Sequence, residues 1–339
     1  MILEATAPTR IDLAGGSLDI WPLNLLVDGA VTVNVAIDLY ARCRLRARKG
    51  KGVRIESRDG RRSASFSSLA HFPPRPGLEL IQELVRQFAP RRGFRLETDC
   101  SAPAGSGLGG SSALAVALAG LLGRFTGRRM TRPQLIVLCR DLEARVIRTS
   151  TGTQDYIAAL HGGWNAVWYG PGGPRIEKLK AGGNLERRMM LYFTGRSRAS
   201  AGSNRDILGR CLEGDKRTLA ALDGVAAAAR DMRAALLSGD GPGIDRNLRQ
   251  EWKWRQKLSP KVGQGGVEAS IRTALRAGAV AGKPCGAGGG GCVLLLCDPD
   301  RQDRVRRALG GGGGRFLRFR VVKRGLRVKN LDGQAGSPV

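Results

Sequence analysis

Several residue types are scarce in this chain of 339 residues, and each scarcity excludes a class of site. There are two histidines, His71 and His161, and the seven cysteines are widely spread without a Cys-x-x-Cys pair. A zinc site is therefore poorly supported, and a chain of this length is unlike the small secreted proteins that depend on disulfides. We expect reduced, mostly buried thiols, as in a cytoplasmic protein.

Long apolar runs and targeting segments are also lacking. No run approaches the ~18–20 apolar residues that cross a bilayer. The first residues show no basic start followed by an apolar core, as a secretory signal would. Hydrophobic residues still make up 42%, an ordinary share for a globular protein, and the length allows about two domains. We expect no membrane partner.

Acidic residues are few relative to basic ones: 29 Asp and Glu accompany 56 Lys and Arg, which gives a formal net charge of +27. Such a balance is typical of nucleic-acid-binding proteins. The basic residues are spread over the whole length, however, and at 42–49 they alternate with apolar residues as on the exposed face of a strand. A phosphate-binding stripe and a solvated basic surface both stay open there, and the pattern favours the surface. Nucleic acid is not the expected partner, and the charge favours anionic ligands by steering.

Hydrophobic periodicity predicts an α+β protein with two lobes and a boundary near 170–190. The predicted strands lie at 30–37, 53–57, 94–98, 191–193, 293–297 and 316–322. The predicted helices lie at 78–88, 111–125, from Pro133 through Val146, through Leu222 and Leu236, and at 244–258, 267–277 and 301–309. No internal repeat is visible.

Glycine is abundant, with 49 residues, and it is concentrated in a few segments. In the first segment, residues 7–19, a short strand carrying Arg10 runs into Gly15 and Gly16, and Asp19 follows. Glycines allow close approach of the backbone to a ligand. This segment alone is also compatible with Arg10 as a surface cation and with Asp19 as a turn residue.

The second segment, residues 103–113, lies between a predicted strand and a predicted helix and contains four glycines. Backbone N–H groups of such a loop converge on an anion, and the helix N-terminus adds partial positive charge. A Rossmann dinucleotide site would need an acidic residue ~20 positions later, but no carboxylate follows until Asp141. The G-x-x-x-x-G-K-[ST] pattern of a P-loop is absent as well. Ser111 and Ser112 either cap the helix or bind phosphate or Mg²⁺, and the glycine density favours phosphate binding.

The third segment, residues 283–293, precedes a strand of buried type. Five of the six residues from 286 to 291 are glycine, more than a tight bend needs.

In order and separation these segments resemble the motifs of the GHMP kinases, the family of galactokinase, homoserine kinase, mevalonate kinase and phosphomevalonate kinase. The motifs span residues 8–291. Within the family the chain is most similar to sugar kinases of the D-glycero-D-manno-heptose 7-phosphate type. That similarity rests on Ala14-Gly15-Gly16 with Asp19, on Gly-Thr-Gln-Asp-Tyr-Ile-Ala-Ala at 152–159, and on Tyr-Phe-Thr-Gly-Arg-Ser-Arg-Ala at 192–199.

The resemblance implies an ATP- and Mg²⁺-dependent phosphotransferase with an alcohol acceptor. It implies an N-terminal nucleotide-binding domain at 1–185 and a C-terminal domain at 186–339. It places the nucleotide on Pro103, Gly105, Ser106, Gly107, Leu108, Gly109, Gly110, Ser111 and Ser112. Ser111 and Glu143 are the implied Mg²⁺ ligands. Considered by position alone, Glu143 is an exposed helix carboxylate.

The implied catalytic residues are Asp155, which takes or orients the proton of the acceptor hydroxyl, and Arg10, which stabilises transferring charge nearby and keeps Asp155 ionised. The implied substrate residues are Ser17, Asp19, Thr194, Arg198 and Gly288, with Arg196 as a further candidate. Guanidinium groups match phosphate oxygens, which suits a sugar phosphate. The resemblance places the phosphates of the nucleotide on residues 105–112, which we call the phosphate loop. The glycines of 286–291 are expected to pack against this loop or to touch the acceptor.

One departure from the heptose-type pattern bears on the substrate. The run Ser-Leu-Asp-Ile-Trp-Pro at 17–22 replaces a Gly-Thr-Asp-Tyr run where sugar hydroxyls are expected. Other acceptors therefore stay open: a galactose- or fucose-like sugar, or a mevalonate-like alcohol. Two other functions on the same scaffold also stay open: a nucleic-acid-binding protein, and a sugar-binding regulator without catalytic activity. The oligomeric state stays open between a monomer and a homodimer.

Overall fold

The computed structural model describes residues 1–180, 183–197, 201–259, 262–264, 266–286 and 288–332. Its first part is built on two long antiparallel strands, β1 (Ile2–Ala14) and β2 (Val31–Ala47). In the outer part of β2, residues 42, 44 and 46 are exposed while residues 41, 43 and 45 are buried. This alternation confirms that the basic cluster there lies on the solvent face of a strand.

Within the described ranges these strands belong to an eight-stranded sheet in the order β12-β1-β2-β5-β3-β4, with β6 on the first half of β2 and β7 on β6. Its remaining strands are β3 (Val53–Ser57), β4 (Arg62–Phe66), β5 (Phe94–Cys100), β6 (Trp164–Trp168), β7 (Arg175–Leu179) and β12 (Arg327–Asn330). All neighbours are antiparallel except β3 and β5. The last strand in the described part of the chain thus pairs with the first.

The described part of the chain between β4 and β6 contains four helices: α1 (Glu79–Phe88), α2 (Gly110–Thr126), α3 (Arg132–Ile147) and α4 (Gln154–His161). Helix α2 packs on β1 and β2 and also contacts α1, α3 and α4. Because Ala and Leu occupy most of its positions, α2 can be buried on several sides at once. Its N-terminus and that of α4 both face the same cleft, which positions the site described below.

The second part is a four-stranded sheet, β11-β8-β10-β9, with helices around it. Its elements are α5 (Gly183–Arg188), β8 (Met189–Phe193), α6 (Ala201–Leu212), α7 (Lys216–Ser238), α8 (Gly241–Leu258), α9 (Val267–Arg276), β9 (Ala281–Pro284), β10 (Cys292–Leu296), α10 (Gln302–Leu309) and β11 (Arg315–Leu317). Helices α7 and α8 pack together and both reach β1, so the two sheets are closely joined. In the parts of the chain that the structure describes, no helix has the length and apolar character needed to cross a membrane.

The predicted α+β fold is confirmed, and most predicted elements agree within a few residues. The predicted strand at 316–322 is wrong beyond Leu317, where the chain leaves the second sheet and hydrogen-bonds to β2 instead through Arg320 and Val322. Strand β12 was not predicted. The division at residue 185 stays a prediction, and β12 shows that the chain re-enters the first sheet after it.

Candidate active site

A cavity of about 530 Å³ opens between the first glycine turn, the glycine loop before α2, the N-terminus of α4 and helix α8. Most residues that the sequence assigned to a site line it: Arg10, Ser17, Asp19, Pro103, Gly105, Ser106, Gly107, Gly109, Gly110, Ser111, Ser112, Glu143 and Asp155. The three segments are far apart in the chain, and the fold brings them together around one space, the third through Gly286. Leu108 is buried beneath the loop, where its carbonyl accepts a hydrogen bond from the Arg10 N–H.

Arg10 and Asp155 form a close ion pair at the centre of this cavity. Nε and NH2 of Arg10 both lie 2.7 Å from Oδ1 of Asp155. NH1 of Arg10 donates to the carbonyls of Gly107 and Cys285, the latter at 3.0 Å. Burial raises the pKa of Asp155, and Arg10 acts in the opposite direction. The predicted proximity of Arg10 and Asp155 is confirmed.

Asp155 stands in the first turn of α4, whose N-terminal partial charge favours a carboxylate. Gly109 lies directly against it at the N-cap of α2, with φ +72°. A methyl group at Gly109 would come within 3.0 Å of the Asp155 carboxyl group. The glycine therefore serves both the backbone turn and the close approach of two helix N-termini.

The third glycine segment packs against the phosphate loop, which is one of the two arrangements expected for it. Cys292 N–H donates to the Ser106 carbonyl at 2.7 Å. At Gly107, an added Cβ would meet the backbone nitrogen of Gly286 at 3.1 Å. Gly286 itself lines the cavity, whereas Gly288 does not. This loop thus supports the phosphate loop from behind.

Glu143 is buried on α3 beside the loop. Its Oε2 accepts hydrogen bonds from Ser112 Oγ, at 2.9 Å, and from the Tyr156 hydroxyl. Burial raises the pKa of Glu143, and Ser111 is among the hydrogen-bonding groups that lower it. The interpretation of Glu143 as an exposed helix carboxylate is therefore wrong.

Asp19 and Ser17 lie in the turn that follows β1. Asp19 is buried and its Oδ2 accepts from the Gln154 N–H at 3.2 Å, next to Asp155. Burial and the nearby Asp155 charge raise the pKa of Asp19 to about 6. Ser17 has φ +80°, a left-handed backbone that a non-glycine residue rarely adopts. Such strained positions are frequent at binding sites.

Two predicted substrate residues, Thr194 and Gly288, do not line the cavity. Thr194 donates its hydroxyl to the Gly291 carbonyl at 3.0 Å and lies outside the lining, as Gly288 does. Arg198 falls outside the described residues. Arg196 is exposed, and its carbonyl accepts from the Gly291 N–H.

Four buried charged residues beside the cavity are not predicted from the sequence: Asp12, Glu251, Arg255 and Lys283. Asp12 and Arg255 line the cavity. A signal was present in α8, whose buried face carries Ile244, Leu248, Glu251, Arg255 and Leu258 at helical spacing. Two opposite charges on an apolar stripe indicate a buried ion pair rather than a solvated face.

An anion-binding loop at a helix N-terminus, close to a carboxylate that can take the proton of a hydroxyl group, is the arrangement of a kinase for small molecules. The protein is accordingly a phosphotransferase with an alcohol acceptor. The chain belongs to the GHMP kinases: residues 78–163 match the GHMP kinases N terminal domain and residues 232–313 match GHMP kinases C terminal. ATP is the phosphoryl donor in this family.

Individual relatives agree with that family along nearly the whole chain. The chain is 27% identical to D-glycero-alpha-D-manno-heptose 7-phosphate kinase of Campylobacter jejuni, over 96% of this chain and 98% of that protein. It is 25% identical to mevalonate kinase of Thermococcus sibiricus, over 98% and 99%. A crystal structure of a D-glycero-D-manno-heptose 1-phosphate kinase from Bacteroides thetaiotaomicron superimposes with a TM-score of 0.78 at 26% identity, covering 97% of this chain and 99% of that one.

Proposed function

We propose that the protein transfers the γ-phosphoryl group of ATP to a hydroxyl of a sugar or sugar phosphate, with a heptose 7-phosphate-like molecule as the acceptor. The pair Arg10–Asp155 beside the glycine loop is the observation that carries the proposal. Two relatives are named as kinases of heptose phosphates, which supports the acceptor class and favours a kinase over a nucleic-acid-binding protein.

Asp155 would act on the acceptor hydroxyl. Arg10 occupies Oδ1 of Asp155, so Oδ2 is the oxygen left to accept the hydroxyl proton. Of the five guanidinium hydrogens of Arg10, four are directed at Asp155, Gly107 and Cys285 in the described part of the chain. The remaining NH2 hydrogen can bind an oxygen of the transferring group and stabilise its charge.

The loop at 105–112 would hold the phosphates through backbone N–H groups at the start of α2. Ser111 and Glu143 are the residues that would bind Mg²⁺, and their hard oxygen atoms fit that ion. The described residues contain no cluster of three or more His, Cys, Asp or Glu that could hold a metal. Mg²⁺ commonly uses one or two carboxylates together with phosphates of the substrate. Bound there, Mg²⁺ would neutralise phosphate charge. Tyr156 and Ser112 fix the Glu143 carboxylate through their hydroxyl groups.

Asp19 and Ser17 would bind hydroxyls of the acceptor, since they line the cavity next to Asp155. Arg198, with Arg196, stays the proposed holder of a phosphate already on the acceptor. Thr194 is proposed to act indirectly, through its hydrogen bond to the Gly291 carbonyl, and Gly288 as part of the loop that ends there.

The test is ADP release in a panel of acceptors at fixed ATP and Mg²⁺. The panel contains heptose 7-phosphate, heptose 1-phosphate, free heptose, galactose, fucose and mevalonate. We expect the highest kcat/KM with a heptose phosphate. Turnover of mevalonate alone would reject the sugar assignment, and no turnover with any acceptor by folded, ATP-binding protein would reject the kinase.

A further inference from the structure

Four charged side chains are buried together where the two sheets meet. The side chains of Asp12, Glu251, Arg255 and Lys283 are exposed by 2%, 0%, 4% and 0%. Lys283 Nζ lies 3.2 Å from Asp12 Oδ2 and 3.2 Å from Glu251 Oε1. Arg255 NH2 lies 3.3 Å from Asp12 Oδ2 and 2.8 Å from Glu251 Oε1. Each cation thus bridges both carboxylates, and we call these four residues the buried charge cluster.

The cluster is balanced in charge, but it is not expected to stabilise the fold efficiently. Two cations match two carboxylates, so no net charge is buried. However, Asp12 Oδ1 and Glu251 Oε2 are buried without a hydrogen-bond partner among the described residues. Desolvation of such ions frequently outweighs their attraction, and apolar replacements can be more stable. The unsatisfied oxygens add to this cost, so stability alone does not account for the arrangement.

The cluster connects the elements that hold the catalytic pair. Asp12 lies two residues after Arg10 on β1, and Lys283 lies on β9 two residues before Cys285, whose carbonyl accepts from Arg10. Arg255 on α8 lies 3.4 Å from the Gly286 carbonyl through NH1. Arg10 and the cluster therefore contact the same short stretch of backbone, residues 283–286.

The cluster also abuts the turn that carries the proposed acceptor residues. A Cβ added at Gly16 would collide with NH2 of Arg255 and with Oδ2 of Asp12. The turn at Gly16, next to Ser17, thus rests directly on the Asp12–Arg255 ion pair. A shift of this pair would be transmitted to the turn.

We propose that Glu251 and Lys283 are positioning residues for phosphoryl transfer: through Arg255 and Asp12 they fix Arg10 and the turn at Gly16 relative to the acceptor. This inference rests on the proposed function. Neither residue lines the cavity, so neither touches substrate. Because alignment of reacting groups is sensitive to displacements of about 1 Å, the cluster governs the rate of the chemical step more than the binding of ATP.

The experiment compares Lys283→Met, Glu251→Gln and the double variant with the wild type, which must first turn over an acceptor of the panel. Either single variant leaves one unbalanced buried charge, and the double variant is neutral again. We expect kcat to fall about 10- to 100-fold in each single variant. In the double variant, kcat should lie several-fold above both single variants yet below wild type, since the bridges between Asp12 and Glu251 are lost. The dissociation constant for ATP should change by less than about twofold.

Asp245→Asn is the matched control. Asp245 lies on the same helix, α8, and pairs with Arg188 at 2.6 Å in a partly buried site that does not reach the cavity. We expect it to lower the unfolding midpoint while kcat stays at the wild-type value. Activities are expressed per mole of bound ATP, which removes unfolded protein from the comparison.

Two outcomes would overturn the inference. In the first, the single variants keep the wild-type kcat per ATP site while their unfolding midpoint falls. That result would show that the cluster has a purely structural role. If the single variants do not fold, a wild-type kcat in the double variant is equally decisive. Absence of turnover in the wild type with every acceptor would instead count against the proposed function.

Discussion

Nε and NH2 of Arg10 converge on one oxygen of Asp155, each at 2.7 Å, and leave the other oxygen to the cavity. A guanidinium held in this way orients the carboxylate as well as neutralising it. The two residues are 145 positions apart in the chain, on β1 and α4. Their relation is therefore a product of the fold, and the chemistry of the site depends on it.

Asp155→Asn keeps the shape of the side chain but removes its capacity to accept a proton. We expect kcat to fall by about 10²–10⁴, the usual contribution of a general base. The dissociation constant for ATP should stay within about twofold, because Asp155 does not belong to the phosphate loop. Stopped assays of ADP and equilibrium nucleotide binding measure the two quantities. A kcat above a tenth of wild type would remove Asp155 from the chemistry.

Binding of the acceptor should depend on the ionisation of Asp19, whose pKa is raised to about 6. The ionised carboxylate accepts hydrogen bonds from hydroxyl groups, and protonation removes most of that capacity. We expect KM for the acceptor to rise about tenfold between pH 7.5 and pH 5, and Asp19→Asn to abolish this dependence. If KM for the acceptor rises equally steeply in Asp19→Asn, the titrating group is not Asp19.

The same shift predicts how stability depends on pH. In the ligand-free protein, the pKa of Asp19 is raised from an ordinary value of 3.8 to about 6. Between these values the folded state retains a proton that the unfolded state has lost, so the contribution of Asp19 to stability declines as the pH rises from about 4 to about 6. Urea unfolding at pH 4 and pH 6.5 should show a smaller decline in Asp19→Asn than in wild type.

Gly109→Ala should impair transfer, whereas Gly127→Ala should not. Both glycines flank α2 with similar φ, +72° and +74°, so each substitution should cost about 1 kcal/mol from backbone strain. A methyl group at Gly109 meets Asp155 at 3.0 Å, but nothing lies within 4 Å of one at Gly127. We expect kcat to fall at least about tenfold in Gly109→Ala alone. Equal kcat values in the two variants would show that the approach of Gly109 to Asp155 is unimportant.

Glu143→Gln should raise the concentration of Mg²⁺ needed for half-maximal activity. A neutral amide is a weaker ligand than a carboxylate for this hard cation. We expect a shift of about tenfold or more, and a smaller one in Tyr156→Phe, which loses one hydrogen bond that orients Glu143. Titrations of Mg²⁺ at saturating ATP and acceptor measure both. An unchanged requirement in Glu143→Gln would place the ion elsewhere.

Local patterns in the sequence were sufficient for most of the helices and for the glycine segments. The predicted helix at 78–88 differs from α1 by one residue at its start, and the predicted helix at 111–125 differs from α2 by one residue at each end. The agreement is close because periodicity and glycine act on neighbouring residues. Strand β12 is not predictable from its sequence, Arg-Val-Lys-Asn, because only one of the four residues is apolar. The strand depends on pairing with β1. Residues 318–322 of the predicted strand at 316–322 do not continue β11, because the chain there hydrogen-bonds to β2 instead.

The buried charge cluster shows what a linear pattern cannot supply. Glu251 and Arg255 are four residues apart, so their pairing is local, but the burial of both is decided by Asp12 and Lys283 in other elements. Each of these charges alone resembles a solvated residue in a strongly basic chain. Their location on the apolar stripe of α8 was the one readable sign, and it becomes meaningful only when the partners are known.

The pairing of β12 with β1 imposes an order on assembly. During synthesis, β1 emerges first, yet one of its edges has no partner until residues 327–330 have been made. At typical elongation rates this interval is on the order of tens of seconds. An open strand edge invites pairing with other chains. Until β12 is made, Leu3–Thr6 of β1 lie at the edge of the sheet; once β12 pairs there, a four-residue strand becomes the edge, and short edge strands are less prone to pair with other chains.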